Sequence, residues 1–171
     1  MPIHRLNHIV LYVTNARRTA AFYQDLLGFR TVHEVGGGKA FFLQAPGSTN
    51  DHDLGLFEIG SQAGPSTAGR STVGMYHLAW EVDTLDELAH IAGLLSEHGA
   101  LVGASDHGTT KALYAKDPDG LEFEVSWLLP ASAITGADRT LGVLPLDLDK
   151  ERARFGGDTL GGVGVSRPVP A

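Results

Sequence analysis

The chain contains no cysteine. Disulfides, thiolate metal sites and a Cys nucleophile are therefore excluded. It also has no basic cluster: thirteen Lys and Arg stand against twenty Asp and Glu, a net charge of -7. That balance argues against nucleic acid and anionic membranes as partners. No apolar run approaches bilayer length. The start, Met1-Pro2-Ile3-His4-Arg5, lacks the charged-then-apolar pattern of a secretion signal, so a cytoplasmic location is the expectation. What is present is an ordinary globular mix, 43% hydrophobic and 19% charged over 171 residues. That length suffices for one domain with a real core.

The chain repeats itself. Leu6-Asn7-His8-Ile9-Val10-Leu11-Tyr12-Val13 resembles Met75-Tyr76-His77-Leu78-Ala79-Trp80-Glu81-Val82, each a strand with His in the third place. A helix is predicted after each. The first spans about Ala16 to Leu27, capped by Thr14 or Asn15 and ended by Gly28. The second spans about Leu85 to His98, opened by the capping box Thr84-Leu85-Asp86-Glu87 and stopped by Gly99. Short strands follow in both halves. Gly38 to Pro46 echoes Thr110 to Pro118, and Leu54 to Ile59 echoes Gly120 to Val125. Both halves thus read βαβββ, over 1–60 and 75–129, with 61–74 as linker. Residues 130–171 read as an extended C-terminal arm, with a short helix near Leu148–Arg154 and a disordered end. Such an arm is suited to covering a neighbouring subunit, and a homodimer is expected.

Strand parity sorts the side chains, because successive residues point to opposite faces. Ile9, Leu11 and Val13 share one face of the first strand; His8 lies on the other with Val10 and Tyr12. Likewise His77 lies opposite Leu78 and Trp80, and Glu124 opposite Phe123, Val125 and Trp127. The apolar faces suit the helices, and parity allows the remaining faces to converge on His8, His77 and Glu124. Two imidazoles and a carboxylate make an open divalent-metal site. Glu122 shares the face of Glu124 and is its rival.

Paired βαβββ modules, each opening on His, with an Asp117-Pro118-Asp119-Gly120 turn and a closing Glu124, resemble the vicinal oxygen chelate superfamily. That group includes glyoxalase I, type I extradiol dioxygenases and bleomycin-resistance proteins. The resemblance covers residues 4–128. It implies an α+β fold in which two modules pair into a cupped mixed sheet with helices outside, and it puts His8, His77 and Glu124 at ligand positions. Within the superfamily, His107, Leu113-Tyr114, Asp117-Pro118, Gly120 and Glu124 resemble the extradiol signature, with Ser105 as a departure. The phrase Leu144-Pro145-Leu146-Asp147-Leu148-Asp149 is also similar to single-domain catechol 2,3-dioxygenase-like proteins. The resemblance therefore implies Fe(II), with Mn, Zn or Ni as alternatives. The substrates it implies are a small aromatic diol and O2, with His107 and Tyr114 supporting the reaction without binding metal. The larger extradiol enzymes carry a further His ahead of the second ligand; here that stretch, Gly60 to Pro65, has none, and His52 is the nearest.

Blander readings stand beside these. A lone strand His is more often structural than a ligand. Tyr114 fits a core aromatic with its hydroxyl at the rim, and His107 a loop residue. The Asp117 to Gly120 run is chiefly a turn. His4, His33, His90 and His98 read as surface residues, and Gly36-Gly37-Gly38 as a hairpin turn. Glu58, aligned with Glu124 in this reading, keeps a glyoxalase-type lyase or isomerase open, with Glu58 as a fourth ligand. A metal-free binder of the bleomycin-resistance kind is the third possibility.

Overall fold

The computed structural model describes residues 3, 5–69, 71–140 and 142–162; His4 and the end at 163–171 lie outside them. The chain divides into two compact units. One runs to Thr67 and takes in Asp117–Leu121; the other comprises Ala68–Lys116 and the residues from Glu122 onward.

The first unit contains β1 (Ile9–Val13), α1 (Ala16–Leu27), β2 (Arg30–Val35), β3 (Ala40–Gln44) and β4 (Leu54–Glu58). Its sheet order is β1-β4-β3-β2, with β1 parallel to β4 and the other pairs antiparallel. The Asn15 side chain accepts from the Arg18 amide, a cap worth about 1 kcal/mol. Gly28 ends α1 at φ 70°, where a Cβ is costly. Leu11, Val13, Leu54 and Leu56 are buried on the face that meets α1, and Val10 and Tyr12 are exposed on the other, as parity requires.

The second unit repeats the order with β5 (Leu78–Glu81), α2 (Leu85–Glu97), β6 (Leu101–Asp106), β7 (Thr110–Lys116) and β8 (Glu122–Leu128). The Thr84–Glu87 capping box is present. Phe123, Val125 and Trp127 are buried along one face of β8. The fold class is α+β, built from two βαβββ modules. Among the described residues, no helix is long and apolar enough to cross a membrane.

The described residues between Pro130 and Gly162 do not form an extended arm. Leu144–Pro145 (β9) adds a fifth strand beside β6, giving β5-β8-β7-β6-β9. Gly136–Thr140 (α3) and Leu148–Phe155 (α4) are helical, and α4 packs on α2 of its own unit. The backbone at Gly161 lies so close to Trp127 that a Cβ there would stand 2.4 Å from the indole nitrogen. The predicted short helix is thus found, held by its own module.

The turn between β7 and β8 belongs to the first unit. The Asp117 carboxylate accepts from the amides of Asp119 and Leu121, each at 2.9 Å. Asp119 accepts from the Thr14 amide at 3.1 Å and from Arg18 at 2.8 Å. These acids are structural, as the turn reading expects. Burial pushes the Asp117 carboxyl up to about 6, with Asp119 adding to the rise and the two amides and Arg18 opposing it. A raised acid costs nothing below its unfolded value. The folded state loses stability as pH climbs from about 4 to 6, by at most about 3 kcal/mol, and the loss is complete above that. Asp117→Asn keeps the acceptor oxygen and removes the charge. Urea melts should show the variant more stable than the parent at pH 7.5 by about 2 kcal/mol, with the gap closing near pH 4. An equal gap at both pH values would contradict this account.

Candidate metal centre

In the second unit His77 immediately precedes β5, and the strand ladder sets what stands beside it. Ala79 pairs with Glu124 on β8, and Tyr114 on β7 pairs with Glu124 from the other side. The His77 Nε2 lies 3.2 Å from Glu124 Oε2. The His77 ring meets Tyr114 edge-on, centroids 5.9 Å apart. The Tyr114 hydroxyl lies 2.9 Å from His107 Nε2. Burial, and next the Glu124 charge, hold the Tyr114 phenol above its ordinary value. His77, Glu124, Tyr114 and His107 therefore form one cluster on one side of the second sheet. Glu124, and not its rival Glu122, is the carboxylate against His77.

His107 is carried on a tight turn. Its amide donates to Thr110 O at 2.9 Å, and Gly108, at φ 78°, donates its amide to Asp106 Oδ1 at 2.7 Å.

In the first unit His8 immediately precedes β1. Its Nδ1 lies 2.7 Å from Asn7 Oδ1. An amide oxygen only accepts, so Nδ1 carries the hydrogen and the neutral ring keeps a lone pair on Nε2. His52 stands beside it, ring centroids 4.6 Å apart. Phe42 meets His52 edge-on at 5.1 Å, and Asp51 holds His52 Nδ1 at 3.1 Å. The sequence reading left His52 out of the site. Its placement comes from a loop fixed by Asp53, whose carboxylate accepts from the Ala45 amide and from Asn50 Nδ2.

The ladders also correct one alignment. In the second sheet Ala79, two residues after His77, pairs with Glu124; in the first, Val10, two residues after His8, pairs with Gly55. The repeat counterpart of Glu124 is therefore Gly55, which has no side chain. Glu58, three residues on, lies on the opposite face with Leu54 and Leu56. Its carboxylate accepts from the Ala16 amide at 3.2 Å, at the start of α1, and pairs with Lys39. Those two contacts, Lys39 first, lower its ionisation range.

Among the described residues, no three His, Asp or Glu side chains are gathered as a metal site. His77 and Glu124 lie together in the second unit, and His8 belongs to the first. The His77–Glu124 pair nevertheless has the spacing of two ligands of one ion. Two atoms each about 2.1 Å from one metal stand about 3.0–3.4 Å apart across it, and the His77–Glu124 separation is 3.2 Å. The His77 Nδ1 is buried with no hydrogen-bond partner among the described residues, leaving Nε2 as its only engaged nitrogen.

The sequence profile of the Glyoxalase/Bleomycin resistance protein/Dioxygenase superfamily matches residues 5–125. The chain belongs to this superfamily. Among superfamily relatives, a catechol-2,3-dioxygenase of Bacillus subtilis (strain 168) is 29% identical over 126 residues, 72% of this chain and 42% of that protein. The chain thus spans less than half the length of that relative. A glyoxylase/bleomycin resistance protein/dioxygenase domain from Frankia sp. EAN1pec superposes with a TM-score of 0.60 at 19% identity, covering 73% of this chain and 92% of the other. A fosfomycin resistance protein variant from Listeria monocytogenes, solved with Mn(II) and a dihydroxypropylphosphonic acid, gives 0.55 at 20% identity, covering 81% and 96%. The structural likenesses establish the superfamily fold.

Proposed function

We propose that the protein is an Fe(II)-dependent extradiol dioxygenase acting on a catechol-type ring, with His8, His77 and Glu124 as metal ligands. The observation that carries this reading is the His107–Tyr114 pair standing next to Glu124. Fe(II), when bound through three protein ligands, supplies the redox chemistry between O2 and a catecholate. The chain's own residues do the rest. His77 and Glu124 offer Nε2 and Oε2, and His8 offers the Nε2 that Asn7 leaves bare. Tyr114, kept protonated, donates to a phenolate oxygen while His107 holds its hydroxyl in place. Both atoms of O2 end in the ring-opened product, so no outside reductant is consumed.

The lyase alternative asks for Glu58 as a fourth ligand. Its place beside α1 and Lys39, with Gly55 at the matching position, argues against that role.

The test is reconstitution with Fe(II) without air, then oxygen uptake across a catechol panel. A yellow ring-opened product is expected, and Glu58→Gln should retain both iron and activity. Loaded protein that ignores catechols yet isomerises the hemithioacetal of methylglyoxal, and loses that activity in Glu58→Gln, would overturn the proposal.

A further inference from the structure

Behind the sheet face that carries Tyr114 lies a buried charge cluster. Lys111 is three residues before Tyr114 on β7 and points to the opposite face. Its side chain is 0% exposed, with Nζ 2.5 Å from Asp106 Oδ1 and 3.0 Å from Glu151 Oε2. Asp106 and Lys111 face each other across the β6–β7 hairpin, and Glu151 comes from α4. Phe155, one turn further along α4, packs against Trp127 at 5.7 Å and lies 5.8 Å from the Lys111 ammonium. Arg154 reaches Asp138 at 2.8 Å.

A fully buried ammonium survives only with its charge compensated. Here two carboxylates share that task. Asp106 has a second duty: the same Oδ1 that meets Lys111 accepts the Gly108 amide in the turn that carries His107. With Glu151 present, Asp106 can serve both partners. Without it, Asp106 must compensate Lys111 alone, and its hold on the turn competes with that demand.

We propose that Glu151 and Lys111 are positioning residues, through which the C-terminal α4 fixes the His107 turn and hence the meeting of His107 with Tyr114. The role in turnover rests on the dioxygenase reading; the structural coupling does not. Neither residue touches the substrate side of the sheet. They act through Asp106 and the Gly108 backbone.

The test compares Glu151→Gln and Phe155→Leu with the parent, in the full chain without metal or substrate. Phe155→Leu loosens α4 and leaves no buried charge unpaired. Amide hydrogen exchange at Gly108 should quicken about tenfold or more, with the exchange of Leu113 and Val125 unchanged within about twofold, because the opening is local. The His107 ring-nitrogen NMR signals should move toward those of Tyr114→Phe, where the hydrogen bond is gone. Unchanged Gly108 exchange and unchanged His107 signals in both variants would overturn the proposal. Should Glu151→Gln expose Leu113 as well, Phe155→Leu decides alone by the same criteria. In the iron enzyme, kcat should fall about tenfold with KM little altered, as expected when positioning rather than binding is lost. Turnover on catechols failing while the NMR coupling holds would count against the dioxygenase reading alone.

Discussion

Replacing His77 with Ala should remove most of the bound metal and with it the activity. The expectation follows from its 3.2 Å approach to Glu124, and from a buried Nδ1 that has no hydrogen-bond partner among the described residues. Glu124→Ala should match it. A graded series separates ligands from neighbours. Asn7→Ala leaves His8 in place but loses the acceptor that sets its tautomer, so metal affinity should fall by about 10–100-fold, the usual cost of an outer partner. Loss of a ligand should exceed that range. Glu122→Ala should change affinity little, since Glu124 holds the position against His77. Chelator competition measures all four on one scale. Full metal occupancy in His77→Ala would sink the assignment, and a loss in Glu122→Ala as large as in Glu124→Ala would show that the wrong carboxylate was chosen.

Much of this arrangement is legible in the sequence because it depends on local rules. The Asn15 cap, the Thr84–Glu87 box and the left-handed Gly28 are each set by a few neighbouring residues, and both helices appear where those signals put them. The buried rows Leu11, Val13 and Phe123, Val125, Trp127 follow from alternation alone. The echo of Leu54–Ile59 in Gly120–Val125 sets Glu58 against Glu124, whereas the ladder matches Gly55 with Glu124. An odd shift of three residues reverses the face, and no single-strand pattern reveals the register of the partner. His52 was discounted by its distance along the chain from an expected place; a loop held by Asn50 and Asp53 returns it to His8. The docking of the C-terminal helix, unlike the helix itself, is hidden from the sequence for another reason. Beside Phe155 on Trp127, the helix is fastened by Glu151 on Lys111 and Arg152 on Asp86, pairs whose members lie far apart in sequence. A charged residue reads as solvated until its partner is known.

Tyr114→Phe should keep the metal and lose turnover by about one to three powers of ten, the scale for one positioned proton donor. Burial and the nearby Glu124 keep the phenol protonated through the neutral range, so it acts as a donor and not as a phenolate. His107 lies 2.9 Å from that hydroxyl. If its role is to hold Tyr114, the two residues act as a unit and their losses do not add. His107→Phe should then cost about as much as Tyr114→Phe, and the double variant little more than either. Metal content should stay at the parental level in all three if, as proposed, the ligands are His8, His77 and Glu124. Full additivity would show that His107 meets the substrate independently, and an unchanged rate in Tyr114→Phe on the best catechol would reduce Tyr114 to a packing residue. The ring contact with His77 is the counterweight: at 5.9 Å edge-to-face, Phe preserves it. A loss of turnover in Tyr114→Phe is therefore attributable to the hydroxyl and not to a displaced ligand.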